Sequence, residues 1–96
     1  MPVYVTLGKY TAEAMKNIHE VSERLQQNTQ LIEAKGGKLI AFYGLMGEWD
    51  ILAITEFPNE KSAVSALLTI GKAGRVSTQT MTAIAGEEFA TLAKQA

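Results

Sequence analysis

The sequence has no cysteine, which excludes disulfides, thiolate nucleophiles and cysteine-bound metals in one step. It has one histidine, His19, so no multi-histidine metal site exists within a single chain, and neither a metal nor a cofactor is expected. Nine basic residues nearly balance ten acidic ones, for a net charge of −1. That balance leaves no basic footprint for nucleic acid or for an anionic membrane surface. No apolar run approaches the roughly 20 residues of a membrane span. Met1-Pro2-Val3 leads straight into strand-like sequence, with no basic region or apolar signal core before it. A cytoplasmic location is the resulting expectation. Phosphate-binding glycine loops are also missing, since there is no Gly-x-Gly-x-x-Gly after a strand and no P-loop.

What remains is an ordinary globular composition, 47% hydrophobic and 20% charged over 96 residues. That length predicts one domain, residues 1–96, with a modest core. Val3 to Tyr10 alternates, with Val3, Val5 and Leu7 on one face and Tyr4, Thr6 and Tyr10 on the other, the period of a strand. Thr11 suits a helix N-cap. Ala14, Ile18, Val21, Leu25 and Ile32 then recur at helical spacing, with a break expected near His19 to Val21. Gly36-Gly37 stops that helix.

Lys38 to Met46 reads as a second strand, with Leu39, Ala41, Tyr43 and Leu45 opposite Ile40, Phe42 and Met46. Gly47-Glu48 turns the chain into a third, Trp49 to Phe57. Pro58-Asn59 caps a second helix carrying Ala63, Val64, Leu67, Leu68 and Ile70, and Gly71 and Gly74 punctuate its end. Arg75 to Ile84 forms the last strand, and Gly86 to Lys94 a short closing helix.

This β-α-β-β-α-β order predicts an α+β, ferredoxin-like fold with a four-stranded antiparallel sheet. Right-handed crossovers put both long helices on the same face of it. The other face should then be polar, yet the central strands are apolar on both sides. Each exposed large side chain forgoes roughly 1.5–3 kcal/mol of burial, so a partner is expected for that face. A second copy is the simplest one, giving a homodimer and a dimeric α+β barrel. The alternative is that the closing helix folds over the sheet, although it is short for four strands.

Gly47-Glu48-Trp49-Asp50 resembles the Gly-x-Tyr-Asp signature of the GYD-domain family, with Trp49 where tyrosine usually stands. The resemblance continues through Tyr4-Val5, Gly8-Lys9-Tyr10-Thr11, Arg24-Leu25, Gly36-Gly37-Lys38-Leu39, Phe42-Tyr43, Gly71 with Gly74, and Thr78-Gln79-Thr80. It implies the dimeric α+β barrel group, which spans cofactor-free monooxygenases, haem-binding enzymes, isomerases and ligand sensors. The group therefore implies a fold and leaves the activity open. Trp49 lacks the phenol hydroxyl, and with it any proton transfer at that position.

Two uses of the candidate residues follow. In a binding module, Phe42, Met46, Trp49 and Met15 would wall a site for a small apolar or aromatic ligand, with Tyr10 and Asp50 as its polar contacts; Tyr43 could reach the same cavity, and Arg24 could bind an anionic substrate. In a small cofactor-independent oxygenase or isomerase, Asp50 would act as general base and Tyr10 or Tyr43 as its proton partner. Asp50 in such a role needs burial to raise its pKa; otherwise it orders its own turn. A third use is an assembly protein whose dimer is its function. His19 has Asn17, Glu20 and Glu23 as neighbours, which are the surroundings of a solvated helix face more than of a haem or metal ligand.

Overall fold

Alternation sets the first element and fixes the direction of the rest. In a computed structural model describing Met1–Ala96, strand β1 runs Val3–Tyr10 and leads through α1, Ala12–Lys16, and a 3-10 turn, Ile18–Glu20, into α2, Val21–Ala34. Strands β2, Lys38–Gly44, and β3, Ile51–Glu56, form a hairpin. Helix α3, Glu60–Lys72, then crosses to β4, Val76–Ala83, and α4, Gly86–Lys94, ends the chain. The sheet order is β2-β3-β1-β4 with every neighbour antiparallel, which is the ferredoxin-like arrangement.

The caps follow from local chemistry. Thr11 accepts from the Ala14 N–H at the start of α1, and Asn59 accepts from the Ser62 N–H at the start of α3. The expected break between the first two helices is present. Asn17 N–H donates to Ala14 O and Glu20 N–H to Asn17 O, an i→i−3 pattern that tightens the chain before α2 begins. Gly36 follows α2 with φ of +82°, the left-handed position that a glycine supplies at least cost.

The helices cover one face of the sheet. Tyr4, Ile32, Phe57, Ala63 and Ala66 form a buried cluster with Leu39 packed against it, and Tyr4 and Phe57 meet edge to face at 6.1 Å. Only nine of the 96 residues are buried, so this core is thin.

Two strand expectations need correction. The hairpin strands stop at Gly44 and resume at Ile51, because residues 45–50 are spent on the turn. A bulge in β2 also separates the pair Leu39↔Thr55 from Ala41↔Ile54, leaving Ile40 without a partner. One extra residue swaps the alternation. Leu39 and Phe42 therefore face the helices, while Ala41 and Tyr43 join the other face, and strict alternation had placed Leu39 with Ala41.

That other face carries Val5 beside Ile54 and Met81, and Leu7 beside Leu52, which in turn pairs with Tyr43. No helix lies over it. Helix α4 does not cover the sheet either, since every residue from Ile84 to Ala96 is exposed. The molecule measures 49 × 31 × 18 Å, with a radius of gyration of 14.5 Å. A compact chain of this length would have about 12.5 Å. No helix is long and apolar enough to cross a membrane.

Candidate functional site

Asp50 joins the hairpin turn to the end of β1. Its N–H donates to Gly8 O at 2.8 Å and its carbonyl accepts from Leu45 N–H at 2.8 Å. Its side-chain Oδ2 accepts from Tyr10 N–H, also at 2.8 Å. One residue thus closes the turn with its backbone and holds the last residue of β1 with its carboxylate. Lys9 completes the clamp: its Nζ lies 3.6 Å from Glu48 Oε1 and 5.0 Å from the centre of the Trp49 ring. Gly47, at φ +119°, allows the turn to reverse so tightly.

Behind this clamp, between α2, α3 and the sheet, lies a cavity of about 100 Å³. Its roof is one stripe of α2, Val21, Arg24, Leu25, Asn28 and Ile32, at helical spacing. Leu67 and Ile70 of α3 close the side. The floor is the inward face of the strands: Tyr4, Thr6 and Tyr10 from β1, Ala53 and Thr55 from β3, and Val76, Thr78 and Thr80 from β4. Thr6 and Thr80 hydrogen-bond across the floor at 2.9 Å. Gly8 makes room at the Tyr10 end, because a Cβ there would meet Ile51 and Val76 at 2.9 Å.

Two polar atoms on this lining are buried and have no partner in the protein, Tyr4 OH and Arg24 Nη1. Arg24 Nη2 binds Glu20 Oε1 at 3.1 Å, one turn back along the helix. Tyr10 has its pKa raised above the ordinary 10.0, mainly by burial and next by the charge of Asp50, while Arg24 pulls the other way.

Of the residues singled out from sequence, the structure brings Tyr10, Arg24 and Phe42 to this cavity. Asp50 stands just outside, bonded to Tyr10. Trp49 lies in the turn, Met46 is fully exposed there at 101%, and Met15 is exposed on α1. Tyr43 is on the open sheet face, opposite Leu52. Tyr4, Asn28, Thr78 and Thr80 were missed as lining residues. Their signal was present: β4 places a threonine at every second position, and Arg24 and Asn28 are four apart on one helix face. His19 is exposed on its 3-10 turn.

The side chain of Asp50 has a structural task that a substitution should reveal. Asp50→Ala is expected to destabilise the fold by about 1–2 kcal/mol, since a charge-assisted bond to a backbone N–H is lost in a partly solvated place. The raised pKa of Tyr10 gives stability that is intact below pH 10 and falls as pH rises through the folded-state value. In Asp50→Ala the phenolate absorbance of Tyr10 should appear at lower pH than in wild type, yet still above the ordinary value, because burial remains. An unchanged titration would mean that the carboxylate does not act on Tyr10.

The strand order, the helices on one face and the hairpin clamp define a small α+β protein of ferredoxin-like fold. The sequence model of the GYD domain matches residues 4–93, nearly the whole chain, and the protein belongs to that family. A relative from Thermus thermophilus, described as a glutamine synthetase and cystathionine beta-lyase binding protein, is 26% identical over 85 residues, covering 88% of this chain and 90% of the relative. Among solved structures, FFRP-DM1 superposes with a TM-score of 0.59 at 22% identity, over 88% of this chain and all of that one. At that identity the likeness is one of fold.

Proposed function

We propose that the 96-residue chain acts as one unit, a dimeric binding module that holds a small apolar or aromatic molecule between its helices and sheet. The observation that carries this reading is the cavity with two unpartnered polar atoms on its wall, Tyr4 OH and Arg24 Nη1. Buried polar atoms are ordinarily paired, and an unpaired one beside a void points to something that fills it. The exposed apolar sheet face supports the dimer. Accessible surface is 6504 Å² for a 10.4 kDa chain, against roughly 5,400 Å² for a compact monomer of that mass. The oxygenase or isomerase reading has less support, because its base, Asp50, already spends a carboxylate oxygen on the Tyr10 backbone.

A second reading is favoured by α4 and by the Thermus relative. Phe89 and Leu92, with Ile84 just before the helix, leave apolar surface on a segment that touches little of its own chain, and the relative is described as binding two enzymes. The chain would then be a module that attaches to a metabolic enzyme.

One experiment separates the two. A native mass spectrum of the protein from its own host should show a dimer with a small added mass, and Ala53→Leu, which fills the cavity floor, should remove that mass while keeping the dimer. A dimer with no added mass in either form would count against the ligand. A complex with a whole enzyme subunit would favour the second reading.

A further inference from the structure

Resting on the reading of the cavity as a ligand site, we infer that its ligand is a neutral, apolar molecule bearing a carbonyl-type oxygen, which accepts a hydrogen bond from Arg24 Nη1.

An arginine in a cavity usually suggests an anion, but the charges here do not. The guanidinium already has a counter-charge, since Nη2 lies 3.1 Å from Glu20 Oε1. What Arg24 still offers is a donor direction, because Nη1 is buried and bonded to nothing. A second carboxylate, Asp50, stands at the same end of the cavity, bonded to the backbone of Tyr10. Asp50 and Arg24 both act on the Tyr10 hydroxyl, with opposite effects, so the guanidinium there already faces two carboxylates. A ligand carboxylate would bring a third negative charge to one positive one in a partly desolvated place, where repulsion is screened least. A carbonyl oxygen accepts the same bond without that penalty.

The remaining lining agrees. Tyr10 keeps its proton at neutral pH and lines the same end, so it is a second donor facing an acceptor. Leu25, Leu39, Phe42, Ile51, Leu67 and Val76 surround the space between with apolar groups. A volume of about 100 Å³ admits at most one tightly fitted ring, being smaller than the apolar cavity of about 150 Å³ that takes a benzene. The Tyr4 hydroxyl, on a lining residue only 5% exposed, is unpaired as well. A ligand with a second neutral oxygen there would satisfy both orphans.

The test uses three molecules of nearly the same shape: acetophenone, benzoate and α-methylstyrene. Each is titrated into the full chain by calorimetry, with amide shifts of Ile51 and Val76 as the reporter of place. Acetophenone should bind at least about tenfold more tightly than either of the others, because only it gives Arg24 an acceptor without adding charge. In Arg24→Met the ketone should lose its advantage over the hydrocarbon. Arg24→Lys, which keeps a charged donor for Glu20, guards against a variant that merely loosens α2, and should retain part of the ketone preference. Tighter binding of benzoate, or a ketone preference that survives in Arg24→Met, overturns the inference. Equal binding of all three at these amides also overturns it, while leaving the binding module intact. If no probe moves Ile51 or Val76, the binding reading falls together with it.

Discussion

Phe57→Ala should cost about 3–5 kcal/mol, a large share of the stability of the fold. Phe57 is 3% exposed, at the end of β3, where its ring meets Tyr4 edge to face and joins Ile32, Ala63 and Ala66. Truncation removes the largest wholly apolar side chain from a core cluster of five buried residues. The void it leaves would open into the existing cavity, so neighbours have little to collapse against. The cost therefore belongs at the upper part of the range for an aromatic deletion. A chain of 96 residues has a total stability of roughly 5–14 kcal/mol. Half or more of the lower figure would go with one ring. Each kcal/mol is worth about 4–8 °C in a domain of this size, so the thermal midpoint should fall by at least about 12 °C. Circular dichroism melts at fixed protein concentration would measure it. A loss below about 1 kcal/mol would mean that the helix–sheet core does not depend on Phe57.

The sequence made the order of elements legible because each left its own periodic signal. The alternation in Val3–Tyr10 gave both faces of β1 correctly, and Thr11 and Asn59 marked helix starts that the structure confirms by their hydrogen bonds. The bulge at Ile40 was not legible. An extra residue in a strand that is apolar on both faces changes no pattern that a period of two could detect. That single residue decided whether Ala41 or Phe42 faced the helices, and so which aromatic reached the cavity.

The candidate site was legible in part, for a related reason. Tyr10 and Arg24 were singled out as chemically able residues and do lie together. The wall drawn from Met15, Met46 and Trp49 came from apolar character near the turn, and character does not give direction. The turn swings outward to clamp Lys9 and leaves Met46 in solvent. Asp50 shows the limit most clearly. A carboxylate beside a glycine turn reads as a backbone acceptor first and as a base second, and its pattern did not show that the acceptor bond would go to Tyr10 N–H, at 2.8 Å. The closing helix had its bounds right, Gly86–Lys94, yet its pattern could not say that it would stand clear of the sheet.

That clearance leads to the second large effect, at the open sheet face. Ile54 sits in the middle of this face, opposite Val5 on one side and Ala41 on the other. If two copies pair through it, Ile54→Lys introduces two ammonium groups into the apolar centre of the interface, one from each copy. Ile54 is already part-buried within one chain, so the burial lost from the two copies is about 1–2 kcal/mol, roughly tenfold in the dissociation constant. Desolvating the two charges adds to that, and no acidic side chain lies among Val5, Leu7, Leu52 and Met81 to receive them. Sedimentation equilibrium at micromolar protein should therefore give twice the chain mass for wild type and 10.4 kDa for Ile54→Lys. The control is Val64→Lys on the outer side of α3, where the native side chain is already 51% exposed, and it should keep the dimer. A wild-type chain that sediments as a monomer would leave the open face to some other partner. The exposed apolar helix α4 would then be the feature to explain together with it, because the same partner would have to cover both.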